Sequence, residues 1–358
     1  MDRLEKYKKM ADKGLWEVNN DDVRAFYERA QEEGVELVSN NVPWLGLFRA
    51  PYSKNLEEVD IAIIGIPMDI GVPNPRPGTR NAPSAVRFWG LDRNMVNYYN
   101  NLCPFDICNI IDHGDMEFKD DMYNLKSNLE EIAQQYSAFQ SEGIVPLTIG
   151  GEHTCTYGIL KGLGQNEPLA VVHLDAHGDT SVGFGNSDIS DASLFQNATV
   201  GGYIDPEKTV QVGQRGRGII RCDFSTNSGM RRIFVDEAQE KGIPYVVEEI
   251  KKIIGDYPCY LSIDTDCIDC GEMPGTTLPE PFGLFGREVR DLIRGMYGMN
   301  IVGADLMELS PDYDVTGKSA CLASGLAFEM LCLLADSKYK KNGKKKQTHW
   351  IEKNRTLV

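Results

Sequence analysis

The chain has 358 residues, with 42% hydrophobic and 25% charged side chains, close to average globular usage. Its 53 acids against 37 bases leave a formal charge of −16, which argues against a nucleic-acid binder, since such a protein must neutralise phosphates. No apolar run approaches the roughly 20 residues of a membrane span, the polar start MDRLEKYKKMADKG has no apolar signal core, and nine cysteines in so long a chain fit a reducing cytoplasm better than a disulfide framework.

Residues 1–57 are polar and helical in patches, for example Asp21 to Glu33, and read as an N-terminal extension packed on the main domain. From Val59 the pattern changes to short apolar runs that end in Gly, Asp or His: 59–67, 143–153, 169–177, 257–266 and 300–308. Near-continuous apolar strands bounded by turn signals suit a parallel sheet covered on both faces. Helical stretches fall between them at Leu125–Ser141, Arg232–Lys241 and Arg287–Tyr297. Alternating strands and helices predict a doubly wound α/β fold. From Asp336 the chain is rich in lysine (Lys338, Lys340, Lys341, Lys344, Lys345, Lys346) and reads as a solvated C-terminal tail.

The informative residues follow the strands, where open α/β sheets bind ligands. LAVVHL runs into Asp175-Ala-His177-Gly-Asp179, PLTIGG into Glu152-His153, and CYLSI into Asp264-Thr-Asp266. His and Asp two residues apart after a strand can turn toward one point. Carboxylates so crowded repel one another unless cations lie between them. A pair of divalent ions removes that repulsion, and two metals about 3.5–4 Å apart would turn a shared water into hydroxide near neutral pH.

These residues sit in segments that resemble the ureohydrolase family of arginases, agmatinases and related guanidino-compound hydrolases. The segments are 65–87, IIDHGD at 110–115, TIGGEHT at 148–154, VVHLDAHGDT at 171–180, 262–283 and ADLMELSPDYD at 304–314. The resemblance covers roughly 58–335, leaving the 1–57 extension and a 336–358 tail outside the expected catalytic domain. It implies a three-layer α/β/α arginase-like sandwich around a central parallel sheet. It also implies a site for two divalent ions, Mn²⁺ or Ni²⁺. His153, Asp175, Asp179 and Asp264 would hold one, and His177, Asp175, Asp264 and Asp266 the other. Asp179 would orient a metal-bridging hydroxide toward the substrate carbon, and Glu308 would receive a guanidinium group. The implied reaction is hydrolysis of a C–N bond in a linear amidine.

The sequence departs from the family in two places: Cys270 stands where relatives commonly have Pro, and a histidine is missing. Most ureohydrolases carry a His some 10–15 residues beyond the Asp-Ala-His-x-Asp segment, where it helps pass a proton to the leaving amine. The five histidines here are His113, His153, His173, His177 and His349, so none lies between 178 and 348. The loop at 181–202 offers Asp188 and Asp191 instead, and we expect one of them to do that work, as a carboxyl of raised pKa can. An acidic loop suits a small, strongly cationic substrate. The chain resembles the divergent guanidine- and metformin-cleaving branch, which makes metformin-type biguanide hydrolysis, to guanylurea and an amine, the leading expectation. An agmatinase, guanidinobutyrase or guanidinase that releases urea is the alternative, and a non-catalytic homologous subunit is another. Family members are mostly trimers or hexamers, so a homo-oligomer, or a hetero-oligomer with a related chain, is expected. Cys267 and Cys270 form a C-x-x-C pair, which reads as packing, as does Cys155.

Overall fold

In the computed structural model, the described residues are 46–71, 76–119, 123–181, 188–216 and 223–341, with isolated positions 5 and 25. The expected helix at 21–33 and the lysines beyond 341 lie outside them. Eight strands are described: β1 (Ile61–Gly65), β2 (Ile110–Asp115), β3 (Val145–Ile149), β4 (Leu169–Leu174), β5 (Ile204–Gln214), β6 (Arg231–Phe234), β7 (Cys259–Asp264) and β8 (Ile301–Met307). They form one sheet in the order β2-β1-β3-β8-β7-β4-β5-β6, and every pairing is parallel.

Both faces of the sheet are covered, which is why its central strands are apolar throughout. Alternate residues go to opposite layers. Ile61, Ile63, Val172 and Leu261 pack toward α1 (Ala82–Gly90), α2 (Pro104–Ile107), α7 (Val235–Lys241), α8 (Ile243–Ile254), α9 (Gly286–Gly295) and α10 (Lys318–Lys341). Ala62, Ile64, Val171 and Tyr260 pack toward α3 (Leu125–Ser141), α4 (Thr154–Gly164), α5 (Leu194–Val200) and α6 (Asp223–Asn227). The fold is therefore the expected α/β/α sandwich. In α3, Leu129, Ile132, Ala133, Tyr136 and Phe139 are buried at helical spacing, and Asn124 caps the helix by accepting from Ser127 N at 3.2 Å.

The structure redraws several expected elements. Arg232 opens no helix: residues 231–234 are the edge strand β6, and the helix begins at Val235. Four residues, half polar, gave no strand pattern. Helix α10 continues past Asp336 to Lys341, with Asp336 and Ser337 buried, so the lysine-rich stretch begins inside the fold. By length and composition α10 could cross a membrane, contrary to the reading of apolar runs, but 83% of its apolar window is buried inside the protein. Residues 46–50 are likewise part of the core: Leu47 and Phe48 are fully buried, and Asp112 accepts from Leu47 N at 2.7 Å and from Arg87 Nε at 2.8 Å.

Candidate metal centre and active site

The register places the site. Ile149 of β3 lies level with Leu306 of β8, Asp264 of β7 with Met307 of β8, and Leu174 of β4 with Ile263 of β7. Four adjacent central strands thus end together, and His153, Glu308, Asp264 and Asp175 come off those ends. Close approach requires glycine here: a Cβ on Gly151 would stand 1.8 Å from the Met68 carbonyl oxygen. Asp179 and Glu308 adopt left-handed backbone, with φ of 48° and 65°. Such strain, about 1–3 kcal/mol per residue, persists where surrounding structure enforces it and gathers at functional sites.

All six expected ligand residues come together. Nδ1 of His153 lies 3.0 Å from Asp179 Oδ2 and 3.4 Å from both Asp175 Oδ2 and Asp264 Oδ2. Nδ1 of His177 lies 3.0 Å from Asp266 Oδ2 and 3.3 Å from Asp175 Oδ1. Asp264 Oδ1 accepts from Asp266 N at 2.8 Å, tying the two carboxylates to one turn. Asp175 faces both imidazoles, as a bridging ligand must.

The hydrogen bonding around His153 tests whether this cluster fits a metal. Its Nε2 lies 2.9 Å from Ser262 Oγ, and that hydroxyl donates to Asp305 Oδ1 at 2.7 Å. Ser262 must therefore accept from Nε2–H, which leaves the lone pair of a neutral imidazole on Nδ1. That buried atom has no hydrogen-bond partner. A lone pair facing three carboxylate oxygens is a set of donors without an acceptor, which is what a divalent cation requires.

Charge tells the same story. Burial raises the carboxyl pKa values of Asp179, Asp264 and Asp266, and neighbouring carboxylates, above all Asp175 and Asp266, raise them further. Burial also acts on Asp175, but His173 and the contacts from His153 and His177 overcome it and hold that carboxyl well below its usual range. Burial would depress the His153 imidazole, yet Asp175, Asp179 and Asp264 outweigh it and carry its pKa well up. Without a metal, a proton on His153 takes the cation's place.

Two expected acids part company. Asp191 opens a short 3₁₀ turn, Asp191–Ser193, at the edge of the site. Burial raises its carboxyl, while the imidazoles of His153 and His177 act on it electrostatically. Asp188 is exposed, and its backbone carbonyl accepts from Asn197 Nδ2 at 2.9 Å. Its side chain stays in solvent because that carbonyl, rather than the carboxylate, ties the loop to α5. Glu308 is buried; its Oε1 accepts from His153 N at 2.6 Å and its Oε2 from the Thr277 hydroxyl. Burial first, then Asp191, pushes its carboxyl up to about 7.

Sequence reasoning passed over several contributors. His173, two residues before Asp175 on β4, donates Nε2–H to Asp175 Oδ2 at 2.7 Å, and its Nδ1 accepts from Gln211 Nε2 at 3.1 Å. Its spacing of two from Asp175 was the available signal. Glu152, named at its strand end but given no role there, accepts from Ile70 N at 3.1 Å, anchoring the loop after β1. Its carboxyl is raised by burial, then by Glu308 and Asp191. Asp305 accepts from Ser262, from Thr156 Oγ1 at 2.8 Å and from Tyr260 OH at 2.9 Å. Cys155 and Cys267 are fully buried, and burial pushes both thiols well up, consistent with packing.

Residues 59–332 match the arginase family. Among relatives, the mitochondrial agmatinase of Gallus gallus is 35% identical over 302 residues, 84% of this chain and 88% of that protein. The guanidinobutyrase of Pseudomonas aeruginosa is 34% identical, over 83% of this chain and 96% of that protein. The crystal structure of proclavaminate amidinohydrolase from Streptomyces clavuligerus superposes with a TM-score of 0.79 at 31% identity, covering 84% of this chain and 99% of that one. The fold of this family implies a dinuclear divalent metal site, and the cluster described above has the donors that could hold it. The chain belongs to the arginase family and is a hydrolase of C–N bonds that acts on guanidino compounds.

Proposed function

We propose that this hydrolase cleaves a small guanidino or biguanide cation that carries no carboxylate, with a metformin-type biguanide as the leading substrate. The observation that carries this reading is Asp191. When ionised, Asp191 repels the buried Glu152 and Glu308, so these three acids make one acidic field, in which burial of Asp191 favours its protonated form. That field attracts cations and repels a guanidino acid.

His153, Asp175, Asp179 and Asp264 would hold one divalent ion, and His177, Asp175, Asp264 and Asp266 the other; the mixed carboxylate and imidazole set suits Mn²⁺ or Ni²⁺. When bound, the pair supplies an activated water and stabilises developing negative charge. Asp179 would accept a hydrogen bond from the attacking water and aim its lone pair at the substrate carbon, and the proton that water gives up returns to Asp191 after each turnover. Glu308 accepts N–H donors of the cationic group while Thr277 and the His153 amide hold its carboxylate in place. Asp191, with its raised pKa, gives the proton that the departing amine needs. A second reading, agmatine or guanidine with release of urea, is favoured by the identity to the agmatinase of Gallus gallus. Assembly as a homo-oligomer or with a homologous chain belongs to this proposal as well.

The test is amine release from guanidine, agmatine, guanidinobutyrate, arginine and metformin by protein loaded with Mn²⁺ or Ni²⁺. Turnover of metformin with negligible guanidinobutyrate hydrolysis supports the proposal. Turnover of agmatine or guanidine alone selects the second reading. Preference for guanidinobutyrate overturns both.

A further inference from the structure

One guanidinium beyond the metal cluster has an unusual set of partners. Arg215 follows β5, and among the described residues the six hydrogen bonds of its guanidinium all go to backbone carbonyls. Nε donates to Pro281 O at 2.8 Å; Nη2 donates to Glu280 O at 2.8 Å, Asp266 O at 2.9 Å and Ile268 O at 3.4 Å. Nη1 donates to Gly213 O at 3.2 Å and Cys267 O at 3.4 Å. The side chain therefore joins three stretches: its own strand, the turn at 266–268 that presents the ligand Asp266, and the rim at 280–281. Carbonyl oxygens need a donor between them to be joined, and a planar five-donor fork spans several at once as an ammonium does not. The fit is tight enough to exclude a side chain at Gly283, whose Cβ would stand 2.4 Å from Nη2.

The rim carries Glu280, whose Oε1 lies 3.6 Å from Nε2 of His177. That imidazole nitrogen is buried and has no hydrogen-bond partner. The rim also carries Phe282, in left-handed backbone at φ 62° and 80% exposed. A strained, outward-facing phenylalanine needs an external restraint to hold its loop. Between 269 and 284 the loop has restraints of its own, since Asp269 N donates to Leu284 O at 2.8 Å and Asp269 Oδ2 accepts from Gly283 N at 3.1 Å. Leu284 N also donates to Cys267 O at 3.0 Å, tying the end of the loop to the turn, but none of these bonds holds residues 280–281 to it.

We propose that Arg215 is a positioning residue: it clamps the 280–281 rim to the 266–268 ligand turn and so sets the Glu280 carboxylate beside His177. Glu280 then governs how a cationic substrate seats over the centre. This rests on the reading of His177 and Asp266 as metal ligands, but the clamp is measurable without turnover. The experiment compares the full-length, metal-loaded protein with Arg215→Gln and Arg215→Lys by amide hydrogen exchange. The amides of Asp269, Glu272, Met273 and Leu284 report on the loop. In Arg215→Gln these amides exchange at least about tenfold faster, while amides of α3 and α4 are unchanged. Arg215→Lys keeps the charge, loses the fork and falls between the two. With whichever guanidino compound the wild type turns over, Arg215→Gln raises KM about tenfold, changes kcat less than about threefold and keeps its metal. Exchange within about twofold of wild type, or faster exchange across the whole sheet, overturns the clamp. If Arg215→Gln does not fold, Arg215→Lys decides by the same readings. A wild type that turns over no guanidino compound defeats the proposed function, while the exchange comparison still decides the role of Arg215.

Discussion

Replacing Ser262 with alanine tests the chain of hydrogen bonds that prepares His153. The Ser262 hydroxyl is fully buried; it accepts from His153 Nε2–H at 2.9 Å and donates to Asp305 Oδ1 at 2.7 Å. Alanine removes both bonds and adds almost no cavity. The His153 N–H then lacks an acceptor in a dry site, which costs about 1–3 kcal/mol. Asp305 keeps its donors Thr156 and Tyr260 but loses one bond to a charged group, about 1.5–3 kcal/mol more. Together the loss in stability of the metal-free protein is about 2.5–6 kcal/mol, read as a lower urea midpoint at unchanged slope. The second consequence is specific to the metal. With Nε2 unpaired, the imidazole is free to move its proton to Nδ1 and to rotate, so affinity for Mn²⁺ or Ni²⁺ falls about 10–100-fold. Competition against a chelator measures this. A variant less than about 1 kcal/mol destabilised, with metal affinity within about twofold of wild type, refutes the reasoning.

Three further outcomes follow from the same geometry. Asp191→Asn lowers kcat by about 10²–10⁴, the range of a lost general acid, whereas Asp188→Asn leaves kcat within about twofold because that side chain is in solvent; steady-state kinetics on the two variants decides. Glu308, with its carboxyl pushed up to about 7, accepts a guanidinium only when ionised, so KM for a cationic substrate rises as pH falls through that region, and Glu308→Gln has a high KM with no such slope. Metal affinity weakens as pH falls, because protons compete for His153, His177 and the carboxylates, and isothermal titration in buffers of different ionisation enthalpy detects protons released on binding.

The central strands were legible because each is buried on both faces and so carries an unbroken apolar run. The edge strand β6, with Arg231 and Arg232 in four residues, and its neighbour β5, with Asp205, Glu207 and Lys208 in its first half, carry too many polar residues to be read this way. The ligands were legible because they follow strands directly: a strand end fixes where the next few residues go, and Asp175, His177 and Asp179 come from one such end. Their supports were not. Ser262 and Asp305 meet from neighbouring strands 43 positions apart, and no local pattern announces such a pair. Arg215 was hidden more deeply, since its partners are carbonyl groups that every residue possesses. Asp188 and Asp191 could not be told apart in sequence, because three residues along an irregular loop decide whether a carboxylate is half-buried or exposed.

The most direct test of the central claim is metal content measured on the purified protein together with amine release. A dinuclear hydrolase carries about two divalent ions per chain, loses turnover of guanidino compounds when they are chelated and regains it with Mn²⁺ or Ni²⁺. Protein that still binds fewer than about 0.2 ions per chain after Mn²⁺ or Ni²⁺ is supplied, and releases no amine from any compound of the panel, contradicts the account.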